Sequence, residues 1–220
     1  MSQNKPNPSV KRPVAHQFED AGQQYDSSIF GMWVFLSTEV LFFGGALTAY
    51  AVYRWLYSVA FRLASDHLDI SLGLINTAIL IASSLTMVLA IHEIQHGNRK
   101  GLVKYLCATI LLGGVFLAIK SFEYAHKFHE HLIPGPNFQF PEQIPGVQLF
   151  FSLYFALTGL HALHMIIGIV ILGIMVFWAK QGRYDEHYNT PIEVMGLYWH
   201  FVDIVWIFLF PLLYLVGRHT

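Results

Sequence analysis

The stretch Tyr198-Trp199-His200-Phe201-Val202-Asp203-Ile204-Val205-Trp206-Ile207-Phe208 lies inside an apolar segment that runs from Val194 to Val216. That segment is long enough to cross a bilayer as a helix, which takes about 20 residues for a core roughly 30 Å thick. Within it His200 and Asp203 stand three residues apart and share one helical face. An Asp at mid-bilayer costs about 2.5 to 3.5 kcal/mol on insertion scales. This face therefore meets protein, a polar lipid group or water rather than acyl chains.

Four further stretches have the same length and character: Ile29–Tyr57, Ile70–His92, Leu102–Tyr124 and Val147–Lys180. The chain is 55% hydrophobic and only 12% charged, against about 25% charged in soluble domains. An integral membrane protein follows. Val147–Lys180 is too long for a perpendicular crossing and is expected to tilt or protrude. Continuous apolar runs such as Met165–Trp178 exclude the alternation of a membrane β-barrel, so the fold class is all-α, a bundle of five transmembrane helices. The net charge of −1 argues against a nucleic-acid partner, and the lone Cys107 in an apolar span excludes a disulfide framework or thiolate metal cluster. Residues 1–28 are polar, with Pro6, Pro8 and Pro13, and lack the apolar core of a cleavable signal. They are expected to form a tail ahead of a transmembrane domain over 29–220.

Lysines and arginines set orientation. With the N-terminus inside, eight lie on the inner side (Lys5, Lys11, Arg12, Arg99, Lys100, Lys104, Lys180, Arg183) and five outside (Arg54, Arg62, Lys120, Lys127, Arg218). This favours a cytoplasmic N-terminus and a periplasmic C-terminus. The short Glu93–Gly101 turn makes the second and third spans an antiparallel hairpin. The outer connection Ala125–Gly146 carries Pro134, Pro136, Pro141 and Pro145 and is expected to be a stiff, irregular cover.

Every span carries groups that lipid rejects: Glu39; Asn76, Thr77, His92 and Glu93; Lys120 and Glu123; His161 and His164; Glu193, His200 and Asp203. The carboxylates must face one another, another subunit or bound polar groups. Haem ligation needs histidines on two facing helices, for which His161 or His164 with His200 are the candidates; histidines satisfied by hydrogen bonds are the simpler reading. A di-iron carboxylate site needs Glu-x-x-His spacing on two helices, and no span supplies it. The set is too sparse for a continuous proton path, although one protonatable group beside a partner's path remains open. The outer His126, His129, Glu130 and His131 have metal-like spacing but read as a solvated helix end. Trp33, Trp55, Tyr57 and Trp178 read as interfacial anchors. Arg99 and Lys100, with Lys104 and His92, read either as positive-inside charge or as a seat for an anionic lipid headgroup. Gly44-Gly45 and Gly113-Gly114 allow close helix contact.

Several of these motifs resemble subunit III of the haem–copper respiratory oxidases, over about Gly31 to Gly217. They are Phe35-Leu36-Ser37-Thr38-Glu39-Val40-Leu41-Phe42-Phe43, Leu74-Ile75-Asn76-Thr77 with His92, Glu123-Tyr124, Thr158–Gly168 and Tyr198–Phe208. The chain is similar to the family's five-helix form. Glu39 and the Leu74-Ile75-Asn76-Thr77 run resemble cytochrome c oxidases more than quinol oxidases. The resemblance implies helices in two groups around a V-shaped cleft that holds phospholipid. It implies no catalytic residue, metal or haem on this chain, with haem and copper in the partner subunit I. It further implies roles in stabilising subunit I, supporting proton uptake and giving oxygen a lipid-filled route. Glu39 would be the buried carboxyl near the cleft and the subunit I boundary. Glu123, His161, His164, His200 and Asp203 would form the polar framework, and His92, Arg99, Lys100 and Glu193 would meet lipid headgroups. Expected partners are subunit I, other oxidase subunits and phospholipids in a bacterial inner membrane, with membership of a respiratory supercomplex left open. The other readings are a bis-histidine haem electron carrier and an accessory subunit of a quinol oxidase or nitric oxide reductase.

Overall fold

A computed structural model describes residues 17–136, 138–140, 144–186 and 188–215. The elements are α1 (Ala21–Leu56), α2 (Ser58–Ser65), α3 (Ile70–Gln95), α4 (Arg99–His129), α5 (Val147–Lys180) and α6 (Thr190–Phe210), which runs into a π-helical turn at Pro211–Leu215. Five of these helices have the length and apolarity to cross a bilayer. No strand interrupts them among the described residues. The protein is an all-α membrane bundle.

Start signals in the sequence act locally as expected. The Asp20 carboxylate accepts from Gln23 N at 2.7 Å, Asp69 from Ser71 N at 2.8 Å, and Asn98 Oδ1 from Gly101 N at 3.2 Å. Each satisfies an orphan amide of a first helical turn. α5 runs over the expected Val147–Lys180. α1 begins at Ala21 rather than Ile29, and α4 continues to His129 rather than Tyr124. In both cases polar residues extend a helix past the apolar stretch, because lipid limits hydrophobicity while backbone hydrogen bonding carries the helix onward. The sequence analysis assigned no element to 58–65. There α2 buries Ala60, Phe61 and Ala64, with Phe61 edge-on to Phe150 of α5 at 5.3 Å. Of the expected tail, residues 1–16 lie outside the described residues, as do Pro141, Val216 and Arg218.

α3, α4, α5 and α6 pack in a ring, with α3 and α4 as the expected antiparallel hairpin turning at Gly97 (φ 73°). α1 lies outside this ring against α5 and α6. Burial follows that arrangement: 56% of the central α6 span is buried inside the bundle, against 11% of the α1 span. Trp199 of α6 is the wedge at the centre. It is fully buried and donates its indole N–H to Ser83 Oγ of α3 at 2.8 Å. A Cβ placed on Gly113 of α4 or Gly168 of α5 would lie 3.0 or 2.9 Å from its ring, so both glycines are there to admit it. Gly44, Gly45 and Gly114, by contrast, face open space, so the expected packing role falls to Gly113 alone of those four.

Two local features close the outer end. Pro211 cannot donate to the preceding turn, and the backbone widens into the π-helical turn. The Leu212 carbonyl there accepts from Tyr50 Oη of α1 at 2.5 Å. The described residues of the connection between α4 and α5 form no helix or strand from Glu130, and Phe138 and Phe140 pack on Phe151 at ring separations of 5.9 and 6.4 Å.

Candidate functional site

The polar side chains of the spans fall into three groups within the bundle and a fourth, more exposed, at the end where α6 begins. The carboxylates do not face one another; each has its own surroundings.

The first group joins α1 to α5. His164 Nε2 lies 3.1 Å from Glu39 Oε2, and His164 Nδ1 lies 2.9 Å from the Leu160 carbonyl. A carbonyl only accepts, so Nδ1 carries a hydrogen. The Nε2–Oε2 contact then joins imidazole and carboxyl across the two helices. Phe43 covers the ring at 5.2 Å, and Tyr198 Oη donates to the His164 carbonyl at 3.0 Å. The two side chains keep 18% and 12% of their surface, at the seam between α1 and the ring.

The second group is the core of the bundle. Lys120 and Glu123, one turn apart on α4, pair at 2.9 Å with almost no exposure. Glu123 also accepts from Tyr154 Oη of α5 at 2.8 Å and from Tyr214 Oη of the π-helical turn at 2.5 Å. Lys120 Nζ donates to Tyr214 Oη at 2.5 Å and sits 4.6 Å above the Trp206 ring. Three donors meet one carboxylate, which is the satisfaction a buried ion pair requires. His161 lies beside this network, fully buried between Phe116 (5.4 Å) and Trp206 (5.2 Å), with neither ring nitrogen hydrogen-bonded.

The third group lies between α3 and α6. His200 Nδ1 and Ser84 Oγ are 2.7 Å apart. Asp203, 4% exposed, has no hydrogen bond to either carboxyl oxygen. Asn76 is likewise buried with both amide atoms unmatched.

At the end of the bundle where α6 begins, Glu193 accepts from Gln95 Nε2 of α3 at 2.8 Å and Tyr25 Oη of α1 at 3.2 Å. It ties three helices. The His92 and His96 rings lie tilted with centroids 4.3 Å apart, and Arg99 and Lys100 are exposed on the same rim. On the opposite rim Glu130 bridges Lys127 (2.6 Å) and His126 (3.2 Å), while the His129 ring lies edge-on to Phe128. No cluster of three or more His, Cys, Asp or Glu converges as a metal site among the described residues.

The three membrane histidines engage different partners: His161 two aromatic rings, His164 Glu39, His200 Ser84. α5 and α6 are in direct contact where Gly168 abuts Trp199. The arrangement does not favour the bis-histidine haem reading. Lys120, Glu123 and His200 stand out in the sequence as polar groups within apolar spans, whereas Tyr154, Tyr214 and Ser84 do not. The usable signal was the demand of each buried carboxyl or imidazole for donors: tyrosines and serines in neighbouring apolar spans are where such donors reside.

Together the fold and this framework define a polytopic helical membrane protein whose ionisable groups bind its helices to one another. The model of the family "Cytochrome c oxidase subunit III" matches residues 23–218, and the chain belongs to that family of oxidase subunits. It is 34% identical over 209 residues to "Quinol oxidase subunit 3" of Bacillus spizizenii, covering 92% of this chain and 96% of that one. It is also 34% identical over 193 residues to "Cytochrome c oxidase subunit 3" of a Synechocystis species, covering 87% and 76%. "Cytochrome bo(3) ubiquinol oxidase subunit 3" of Pseudomonas aeruginosa is 28% identical over 204 residues, covering 93% and 92%. The chain is thus a multi-pass bacterial membrane protein that partners with other oxidase subunits.

Proposed function

We propose that this chain is the non-catalytic subunit III of a haem–copper terminal oxidase, seated beside subunit I, which holds the haem and copper and reduces oxygen. The observation that carries this is the pairing of Glu39 with His164 and of Glu123 with Lys120, Tyr154 and Tyr214. Side chains committed to one another hold the helices together, which suits an accessory subunit. Glu39, in the seam between α1 and the ring, is the group we place near subunit I and a lipid-filled cleft. Its contact with His164 suits a role beside a proton uptake path without forming one. Exposed His92, Arg99 and Lys100 suit anionic headgroups on the inner face, whereas Glu193 is engaged as a helix tie. The lysine and arginine bias supports a cytoplasmic N-terminus.

The aa3-type cytochrome c reading rests on Glu39 and the Leu74–Thr77 run. Relatives named for quinol and for cytochrome c match at the same 34% identity, so identity does not separate the donors. Purification from native membranes through a tag on this chain tests the proposal. A haem spectrum with a co-purifying larger subunit supports it, and haem retained by the 25.1 kDa chain alone refutes it. Oxygen uptake by that complex with reduced cytochrome c, against uptake with a quinol, then assigns the donor.

A further inference from the structure

Between α3 and α6 the side of the bundle is indented by a groove of about 410 Å³. Its walls are Ile81 and Leu85 of α3 and Ile204 and Ile207 of α6, each 46% to 59% exposed. Its floor is polar: Ser84, His200 and Asp203. Ser84 and His200 satisfy each other, and the two buried oxygens of Asp203 are left without a partner. A buried polar group in that condition is a standing cost that a hydrogen-bonding neighbour removes.

Depth decides what that neighbour is. Ser84 and Asp203 lie near the midpoints of helical runs spanning 70–95 and 190–215, roughly 16–21 Å from either end at 1.5 Å per residue. A phospholipid headgroup sits at the edge of a core about 30 Å thick and does not reach this level, and acyl chains have no donor. The wall residues form rows at i, i+4 on one side and i, i+3 on the other, the ridges between which a third helix packs. We propose that this groove seats a transmembrane helix of a partner subunit, which presents a polar side chain (Ser, Thr, Asn, Gln, Tyr or Trp) to Asp203. The proposal rests on the reading of this chain as one subunit of a larger complex.

The test is photo-crosslinking in intact membranes that carry the full complex, with Ile81→p-benzoylphenylalanine and Ile204→p-benzoylphenylalanine in otherwise native chains. Both positions are expected to give an adduct with one other membrane protein. Adding Asp203→Leu lowers that yield about threefold, the size of a single interhelical hydrogen bond. Asp203→Asn, which keeps an acceptor oxygen for the partner's donor, leaves it unchanged. Adducts to lipid or quinone only, no adduct at all, or a yield indifferent to Asp203→Leu overturns the proposal. The haem spectrum of the tagged complex reports separately on the subunit reading. A haem-bearing complex with lipid adducts alone sinks the groove and spares the subunit. A protein adduct in a preparation lacking haem does the reverse.

Discussion

Glu123 and Asp203 are both carboxyls buried to within a few per cent, yet one is surrounded and the other is open. Glu123 receives Lys120, Tyr154 and Tyr214, drawn from α4, α5 and the π-helical turn. Asp203 lies on a groove on the bundle's flank beside Ser84, with neither carboxyl oxygen in a well-formed hydrogen bond. The difference separates polarity that holds this subunit together from polarity that faces outward. Glu39 stands between them, with one internal partner and a partly exposed position in the α1 seam.

Breaking the closed network is expected to have the largest effect. Lys120→Met strands a buried carboxylate and is expected to cost about 3 to 5 kcal/mol, read as a lowered melting point of the detergent-solubilised complex. Adding Glu123→Leu recovers most of it; a Lys120→Met variant that melts like the native protein would show the network to be ornamental. Next is the packing at Trp199. Gly168→Leu drives a side chain into that indole and is expected to cost on the order of 1 to 3 kcal/mol, whereas Gly45→Ala, in open space, stays within about 0.5 kcal/mol. Smaller again is Glu39→Ala, which removes one interhelical hydrogen bond worth roughly 0.6 to 1.7 kcal/mol. It is expected to leave haem content intact and to shorten the complex's activity lifetime under continuous oxygen consumption. The smallest is Asp203→Leu. With no internal hydrogen bond to lose, melting of this chain stripped of its partners is expected not to fall; a loss comparable to that of Lys120→Met would erase the contrast between the two carboxyls.

The five spans and the identity of the groups needing partners were legible in the sequence, because lipid makes both length and polarity costly. Val147–Lys180 is the clearest case: the apolar run and the helix end together. α1 and α4 overran their apolar stretches, since a helix outside the bilayer core needs no hydrophobicity. α2 was hidden because its eight residues make only about two turns, far short of a span, and lie between two apolar stretches. Among the polar groups, Lys120 and Glu123 were legible as side chains needing partners, and the structure pairs them one turn apart on α4. Completion of the pair by Tyr154 and Tyr214 depends on how α4, α5 and the turn after α6 are brought together, which spacing along one helix does not encode. The Glu39–His164 pair likewise spans 125 residues of chain.

The most direct measurement is oxygen consumption over successive turnovers by the purified complex before and after this chain is stripped away, with haem content followed in parallel. A non-catalytic subunit III predicts that haem content and the initial rate persist while the active lifetime shortens. Haem leaving with this chain, or loss of the first turnover, would contradict it.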